Sequence, residues 1–199
     1  YYFYSYFKLK KDNISFSVPT GNFGDIYAGF IAKKMGLPIN KLIVATNEND
    51  ILQRVINTGE YKPDKVRASI SPSMDIQVAS NFERLLFYVV GQNDQKVSLL
   101  MDQLSKKGFF KLDQSTIQEI KKDFEAVKIN DEDTQLIMKN INDEFNFIID
   151  PHTATGFGAA KKIKGLDDIV VLGTAHPFKF SDTVKKATGK NLDAPSHLK

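Results

Sequence analysis

The chain has 199 residues, 42% hydrophobic and 26% charged, which suits a single water-soluble core rather than a disordered or fibrous chain. Its net charge is +3 and its lysines are scattered, so no basic stripe with interleaved aromatics points to nucleic acid. Cysteine is absent, which excludes disulfides, thiolate metal sites and a cysteine nucleophile; the three histidines lie far apart, so no metal site is expected.

In chain order, Tyr1-Tyr2-Phe3-Tyr4-Ser5-Tyr6-Phe7-Lys8-Leu9 reads as the second half of an amphipathic helix entered partway, and an upstream region is expected. Ile14 to Val18 is a strand. Asp25 to Met35 is a helix closed by Gly36 and Pro38. Lys41 to Thr46 (KLIVAT) is a short apolar strand of the kind buried in parallel sheets. Asn47 is placed to cap a helix over Glu48 to Asn57, ended by Gly59. This alternation predicts an α/β fold with a doubly wound, mostly parallel sheet.

Ser71-Pro72-Ser73 opens the next helix, with Val78, Phe82, Leu85 and Val89 on one face. From residue 92 to 147 the pattern is wholly helical, a cover or insertion on the sheet. Its stripes are Val97/Leu100/Met101/Leu104, Ile117/Ile120/Phe124/Val127 and Ile137/Ile141/Phe145, the second started by the capping box Ser115-x-x-Gln118. Asp150-Pro151-His152-Thr153 restarts the helical pattern. Ile169 to Leu172 is a last core strand, ending at Gly173-Thr174-Ala175-His176-Pro177 before another helix. Residues 1–190 read as part of one large domain and 191–199 as a polar tail. No apolar run approaches the ~20 residues needed to span a bilayer, and no signal peptide is visible, so the cytoplasm is the expected compartment.

The stretch Pro19-Thr20-Gly21-Asn22-Phe23-Gly24-Asp25 carries the chemistry. A helix N-terminus has unpaired N–H groups and a partial positive charge. Gly21 and Gly24 tolerate positive φ, as does Asn22, so the loop can curl into a nest of donors for a phosphate. The alternative is a tight strand-to-helix turn and nothing more. The loop is neither a Walker A motif nor the dinucleotide fingerprint. Asp25 beside a phosphate would repel it, so it is expected to cap the helix or orient loop amides. Thr174, past the last strand, lies where open α/β sheets hold ligands; its alternative is a turn cap. His176 reads as a helix-entry residue, Lys179 as a solvated charge, and His152 as a loop histidine bonded to backbone. Asp75 suits a first helical turn, and Asn81, Glu83 and Arg84 suit a surface salt bridge.

Four segments in order carry a resemblance. Pro19-Thr20-Gly21-Asn22-Phe23-Gly24-Asp25-Ile26 resembles the phosphate loop of the threonine synthases, pyridoxal-phosphate enzymes of fold type II. Ser71-Pro72-Ser73-Met74-Asp75-Ile76 running into Ser80-Asn81-Phe82-Glu83-Arg84-Leu85, then Asp150-Pro151-His152-Thr153-Ala154, then Thr174-Ala175-His176-Pro177-x-Lys179-Phe180, are similar to further segments of that family. The resemblance implies that Gly21, Asn22, Phe23 and Gly24, supported by Asp25, hold the phosphate of pyridoxal phosphate through backbone amides. It implies that Thr174 meets the pyridine nitrogen, and that O-phospho-L-homoserine and water become L-threonine and phosphate. Asp75, Asn81, Arg84, His152 and Lys179 fall in the family's motifs without assigned roles. The family's Schiff-base lysine lies upstream of the phosphate loop in a Phe-Lys-Asp triplet. Nothing before Ser17 resembles it, so the chain reads as the carboxyl-terminal portion, inactive without the amino-terminal part of the same enzyme. A non-catalytic homologue, or another type II lyase such as a serine or threonine dehydratase, is the alternative.

Overall fold

The computed structural model describes residues 1–195. The opening aromatics form α1 (Tyr2–Leu9), which buries Tyr2 and leaves Tyr1, Tyr4 and Phe7 exposed. Lys10 ends it in the left-handed conformation. β1 (Ile14–Pro19) follows, buried at every position. A short loop leads to α2 (Gly24–Lys34), with Lys33 and Lys34 set against the negative end of the helix. β2 (Ile39–Thr46) and α3 (Ile51–Thr58) come next, and Gly59 closes α3 at φ 81°. The helix starts at Asp50, not Asn47. The Asn47 side chain is drawn away to another loop, as described below.

After β3 (Glu60–Tyr61) the chain wanders irregularly to a single 3-10 turn at Pro72–Met74, where a longer helix was expected. That turn breaks at Asp75, whose side chain is the centre of a polar cluster. The helix proper is α4 (Phe82–Val89), which buries Phe82 and Leu85 but leaves Val78 outside it and exposed.

The stretch from 92 to 147 is not wholly helical. α5 (Asp94–Lys107) is capped by Asn93 and leads into β4 (Phe110–Lys111), which pairs antiparallel with β3. α6 (Gln114–Asp123) is capped by the Asp113 carboxylate, which accepts from the Thr116 amide at 2.7 Å, rather than by the Ser115-x-x-Gln118 box. The Asp113 carboxyl is held down to about 2, first by the Ser115 hydroxyl and then by Thr116. At Phe124 the backbone turns extended and β5 (Phe124–Lys128) begins. Phe124 and Val127 also fit a helical spacing, which hid the strand. The alternation of Phe124 and Ala126, both buried, is the period that holds. α7 (Asp131–Phe145), α8 (Pro151–Lys162), β6 (Ile169–Val171), a 3-10 turn at Pro177–Phe180 and α9 (Ser181–Thr188) complete the described chain.

Four strands form one all-parallel sheet in the order β5-β2-β1-β6. Both faces are covered, and the pleat sorts the side chains. From β2, Leu42 and Val44 join a core with Phe16, Phe23, Ile26, Phe82 and Phe124, while Ile43 and Ala45 join a second core with Ile137, Ile141, Ala154 and Val184. The doubly wound parallel sheet expected from the sequence is thus the observed architecture. α8 approaches β1 and β6 closely: the Ser17 hydroxyl donates to the Gly156 carbonyl at 2.7 Å, and a methyl group at Gly156 would stand 2.9 Å from Val171 Cγ1 of β6. Among the described residues no helix is long and apolar enough to cross a membrane.

Candidate functional site

β1 and β6 are parallel neighbours, with Ser17 opposite Val171, and the Leu172 amide extends the ladder to the Ser17 carbonyl. Both strands therefore end at the same sheet edge. β1 releases the loop Thr20–Phe23 there, and β6 releases Gly173 and Thr174. This is the edge where open parallel sheets hold ligands, and two of the sequence's candidate segments leave the sheet at it.

Within the loop, the amides of Gly21, Asn22, Phe23 and Asp25 donate to no group among the described residues. The Gly24 amide is taken by the Asn22 side chain at 2.8 Å. The left-handed residue is Phe23 (φ 69°), not Gly21 or Gly24. A bulky residue in that conformation is strained, and it is held there by a fully buried ring. That ring meets Phe82 edge-on at 5.3 Å and lies 5.6 Å from Phe124. The glycines serve close approach instead. A methyl group at Gly21 would stand 2.8 Å from the Ser73 carbonyl oxygen, and one at Gly24 would stand 3.0 Å from Asn22 Oδ1. Open amides at Gly21, Asn22, Phe23 and Asp25, two glycines without side chains and the positive end of α2 together fit a phosphate group.

Asp25 does not cap α2. Its carboxylate and carbonyl accept from the Tyr2 hydroxyl, at 3.2 and 2.9 Å. Burial pushes the Asp25 carboxyl up, against the pull of that hydroxyl; burial and then the Asp25 charge push the Tyr2 phenol far up. Asn81 holds the loop from the other side, its amide and side chain both donating to the Asn22 carbonyl at 3.1 Å. Glu83 and Arg84 form no ion pair among the described residues, contrary to the surface salt bridge expected there. Arg84 instead lines, with Tyr2, Gly24 and Tyr27, a cleft beside the loop.

Asp75 is no first-turn helix residue. Oδ1 accepts from Asn47 Nδ2 (2.7 Å), Asn49 Nδ2 (2.9 Å) and Ser69 Oγ (2.6 Å), and Oδ2 from the Ser69 amide (3.0 Å). The cluster ties the segment 69–75 to the end of β2. Asn47 was expected only as a helix cap, and Asn49 and Ser69 were not singled out from the sequence, because their partners lie across a loop and no local spacing marks them.

Asp150 caps α8, with Pro151 at the first helical position, and accepts from the amides of His152 and Thr153 and from the Thr153 hydroxyl. Its Oδ1 also faces His152 Nδ1 at 2.9 Å. Burial works to raise the Asp150 carboxyl, but the His152 and Thr153 hydrogen bonds outweigh it and hold it below the usual range. His152 is thus a helix residue bonded to a carboxylate, and Nε2 accepts from the Ser73 amide at 3.2 Å. Thr174 is exposed and caps nothing among the described residues. His176 caps the 3-10 turn, accepting from the Phe178 amide at 3.2 Å, as expected of an entry residue. Lys179 is exposed, its ammonium 5.9 Å from the Phe180 ring.

Two solved structures match this arrangement across the whole chain. One is a pyridoxal-phosphate-bound threonine synthase from Brucella melitensis (TM-score 0.96, 43% identity). The other is the threonine synthase from yeast (TM-score 0.90, 42% identity). The chain covers 43% of each. The fold is that of the type II pyridoxal-phosphate enzymes. The family model described as threonine synthase, C-terminal, matches residues 153–199. The threonine synthase of Pseudomonas aeruginosa is 43% identical over the whole chain, which spans 43% of that protein's length. The chain belongs to the threonine synthase family.

Proposed function

We propose that this chain supplies the cofactor cradle of a threonine synthase, an enzyme that converts O-phospho-L-homoserine and water to L-threonine and phosphate with pyridoxal phosphate. One observation carries the reading: the unpaired amides of Gly21, Asn22, Phe23 and Asp25 and the Thr174 hydroxyl stand beyond the ends of adjacent parallel strands. The amides of Gly21, Asn22, Phe23 and Gly24 would hold the cofactor phosphate. Gly24 would share its N–H with Asn22, and Asp25 would support the loop through Tyr2. Thr174 would donate to the pyridine nitrogen and keep its proton, because a hydroxyl is too weak an acid to charge that ring. When bound, pyridoxal phosphate supplies an electron sink that stabilises carbanions on the substrate, so that phosphate leaves from Cγ and water adds at Cβ. Asn81 and the Asp75 cluster would keep the cradle rigid, so that donors are in place before the ligand arrives. The expected compartment is the cytoplasm.

The covalent anchor is a lysine upstream of the loop in the family pattern, and Lys8, Lys10 and Lys11 do not match it. The isolated 199 residues are therefore expected to show no turnover. The test is phosphate and threonine release from phosphohomoserine by the full-length protein loaded with pyridoxal phosphate. Release of ammonia from serine or threonine in its place would assign a dehydratase. Neither product, from a full-length chain lacking the Phe-Lys-Asp lysine, would assign a non-catalytic homologue.

A further inference from the structure

His152 lies where three separately built parts of the proposed site meet, and no role given above uses it. Its ring is 3% exposed. A carboxylate only accepts, so Nδ1 must carry the proton it gives to Asp150 at 2.9 Å. A backbone amide only donates, so Nε2 must offer Ser73 its lone pair at 3.2 Å. The two neighbours together select one neutral tautomer, assigned from the hydrogen-bond network. A doubly protonated ring would set two donors face to face at Ser73.

The Ser73 held in this way is the residue whose carbonyl backs Gly21, 2.8 Å from where a side chain would start. The centroid of the same imidazole lies 4.7 Å from that of the Phe180 ring, the two planes tilted by 55°, and Phe180 is the last residue of the turn that follows Thr174. One buried ring thus touches the support of the phosphate loop on one side and the turn behind Thr174 on the other. Its orientation is fixed from α8 by Asp150.

We propose that His152 is a positioning residue for the cofactor site: Nε2 holds the Ser73 amide and so the seat of Gly21, while the ring backs Phe180 and the turn behind Thr174. The proposal rests on the cofactor reading above. It assigns His152 no contact with substrate or cofactor.

Two variants of the full-length enzyme separate the ring's two hydrogen bonds. His152→Gln can place its carbonyl near the Nε2 position and still accept from Ser73. His152→Asn reaches only the Nδ1 position, so it can donate to Asp150 but leaves the Ser73 amide without an acceptor. Pyridoxal phosphate affinity is measured by fluorescence titration of the apoenzyme, the bound phosphate by phosphorus-31 NMR, and apoenzyme stability by thermal denaturation. The Asn variant is expected to bind about tenfold more weakly with a shifted phosphorus resonance, the Gln variant within about threefold of wild type, as one hydrogen bond dictates. Both should melt at similar temperatures. Native affinity and resonance in the Asn variant would overturn the proposal, as would equal losses in both variants. Nitrogen-15 NMR of the wild-type ring gives a check that needs no variant: the Nδ1–H tautomer is expected, and the Nε2–H tautomer would overturn the proposal. A wild-type enzyme that takes up no pyridoxal phosphate would instead remove the cofactor reading on which the proposal stands.

Discussion

The Tyr2 hydroxyl donates to both the carbonyl and the carboxylate of Asp25, 2.9 and 3.2 Å away, and so pins the opening helix to the first turn of the helix that carries the glycine loop. The packing is close enough to dictate sequence one turn on: a methyl group at Gly29 would stand 2.5 Å from Tyr2 Cε1. An aromatic-rich segment that reads as an awkward beginning is therefore partly a structural support of the loop.

Tyr2→Phe should cost about 1 kcal/mol at neutral pH, the usual net value of a lost hydrogen bond. The pH dependence has a definite sign. Burial raises the Asp25 carboxyl and the Tyr2 hydroxyl partly offsets that, so removing the hydroxyl raises it further. A carboxyl raised on folding favours the folded state in acid, and that advantage is lost as pH rises through the folded value. The difference between Tyr2→Phe and wild type should therefore widen from pH 4 to pH 7 in urea denaturation. A difference that narrows over that range would contradict the assignment.

Asp150→Ala should be costlier, about 3 kcal/mol at pH 7. It removes a helix cap and leaves the buried His152 Nδ1–H without an acceptor. Here the sign is opposite. The Asp150 carboxyl is held below its usual value, so its contribution is present at neutral pH and lost as pH falls below about 4 through the folded value. Chemical denaturation of both proteins over pH 2 to 7 should show their stabilities converging at the acid end.

Much of this was legible locally. The strands at 14–18 and 41–46 show because a parallel sheet covered on both faces needs unbroken apolar runs. The loop at 19–25 shows because glycines crowd between a strand and a helix. What was hidden depends on distant partners. Phe124 fits both a helical and a strand period, and only its pairing with Leu42 decides. Asn47 looks like a helix cap until Asp75, remote in sequence, claims its amide. The left-handed Phe23 runs against every local preference. A fully buried ring between Phe82 and Phe124 overrides the backbone's own choice.

Thr174 separates function from folding. It is exposed and bonds to no described group, so Thr174→Ala should leave stability within about 0.5 kcal/mol of wild type. The same substitution in the full-length enzyme removes the donor proposed for the pyridine nitrogen, and kcat should fall about tenfold or more. Thr174→Ser keeps a hydroxyl and should recover most of it. Unchanged kcat with Thr174→Ala would remove Thr174 from the site.

The two loop glycines should respond differently to the same added methyl group. At Gly21 the obstacles are the Ser73 carbonyl oxygen at 2.8 Å, Ile76 Cδ1 at 3.0 Å and Met74 Cα at 3.2 Å, and two of these three are backbone. At Gly24 they are the side-chain amides of Asn22 and Asn81, at 3.0 and 3.3 Å, which can rotate away. Neither glycine has a positive φ, so backbone strain does not enter and the comparison isolates crowding. Gly21→Ala must push the loop off the Ser73 segment, at a cost of about 1–3 kcal/mol, the range for overpacked sites. Because Gly21 opens the row of unpaired amides, the same shift should weaken pyridoxal phosphate binding about tenfold or more. Gly24→Ala needs only the two asparagine side chains to move, and should cost under about 1 kcal/mol and a few-fold in affinity. Thermal denaturation and fluorescence titration of the two variants test the order. If Gly24→Ala proves the more damaging, the loop is held chiefly by Asn22 and Asn81 rather than by the backbone of Ser73.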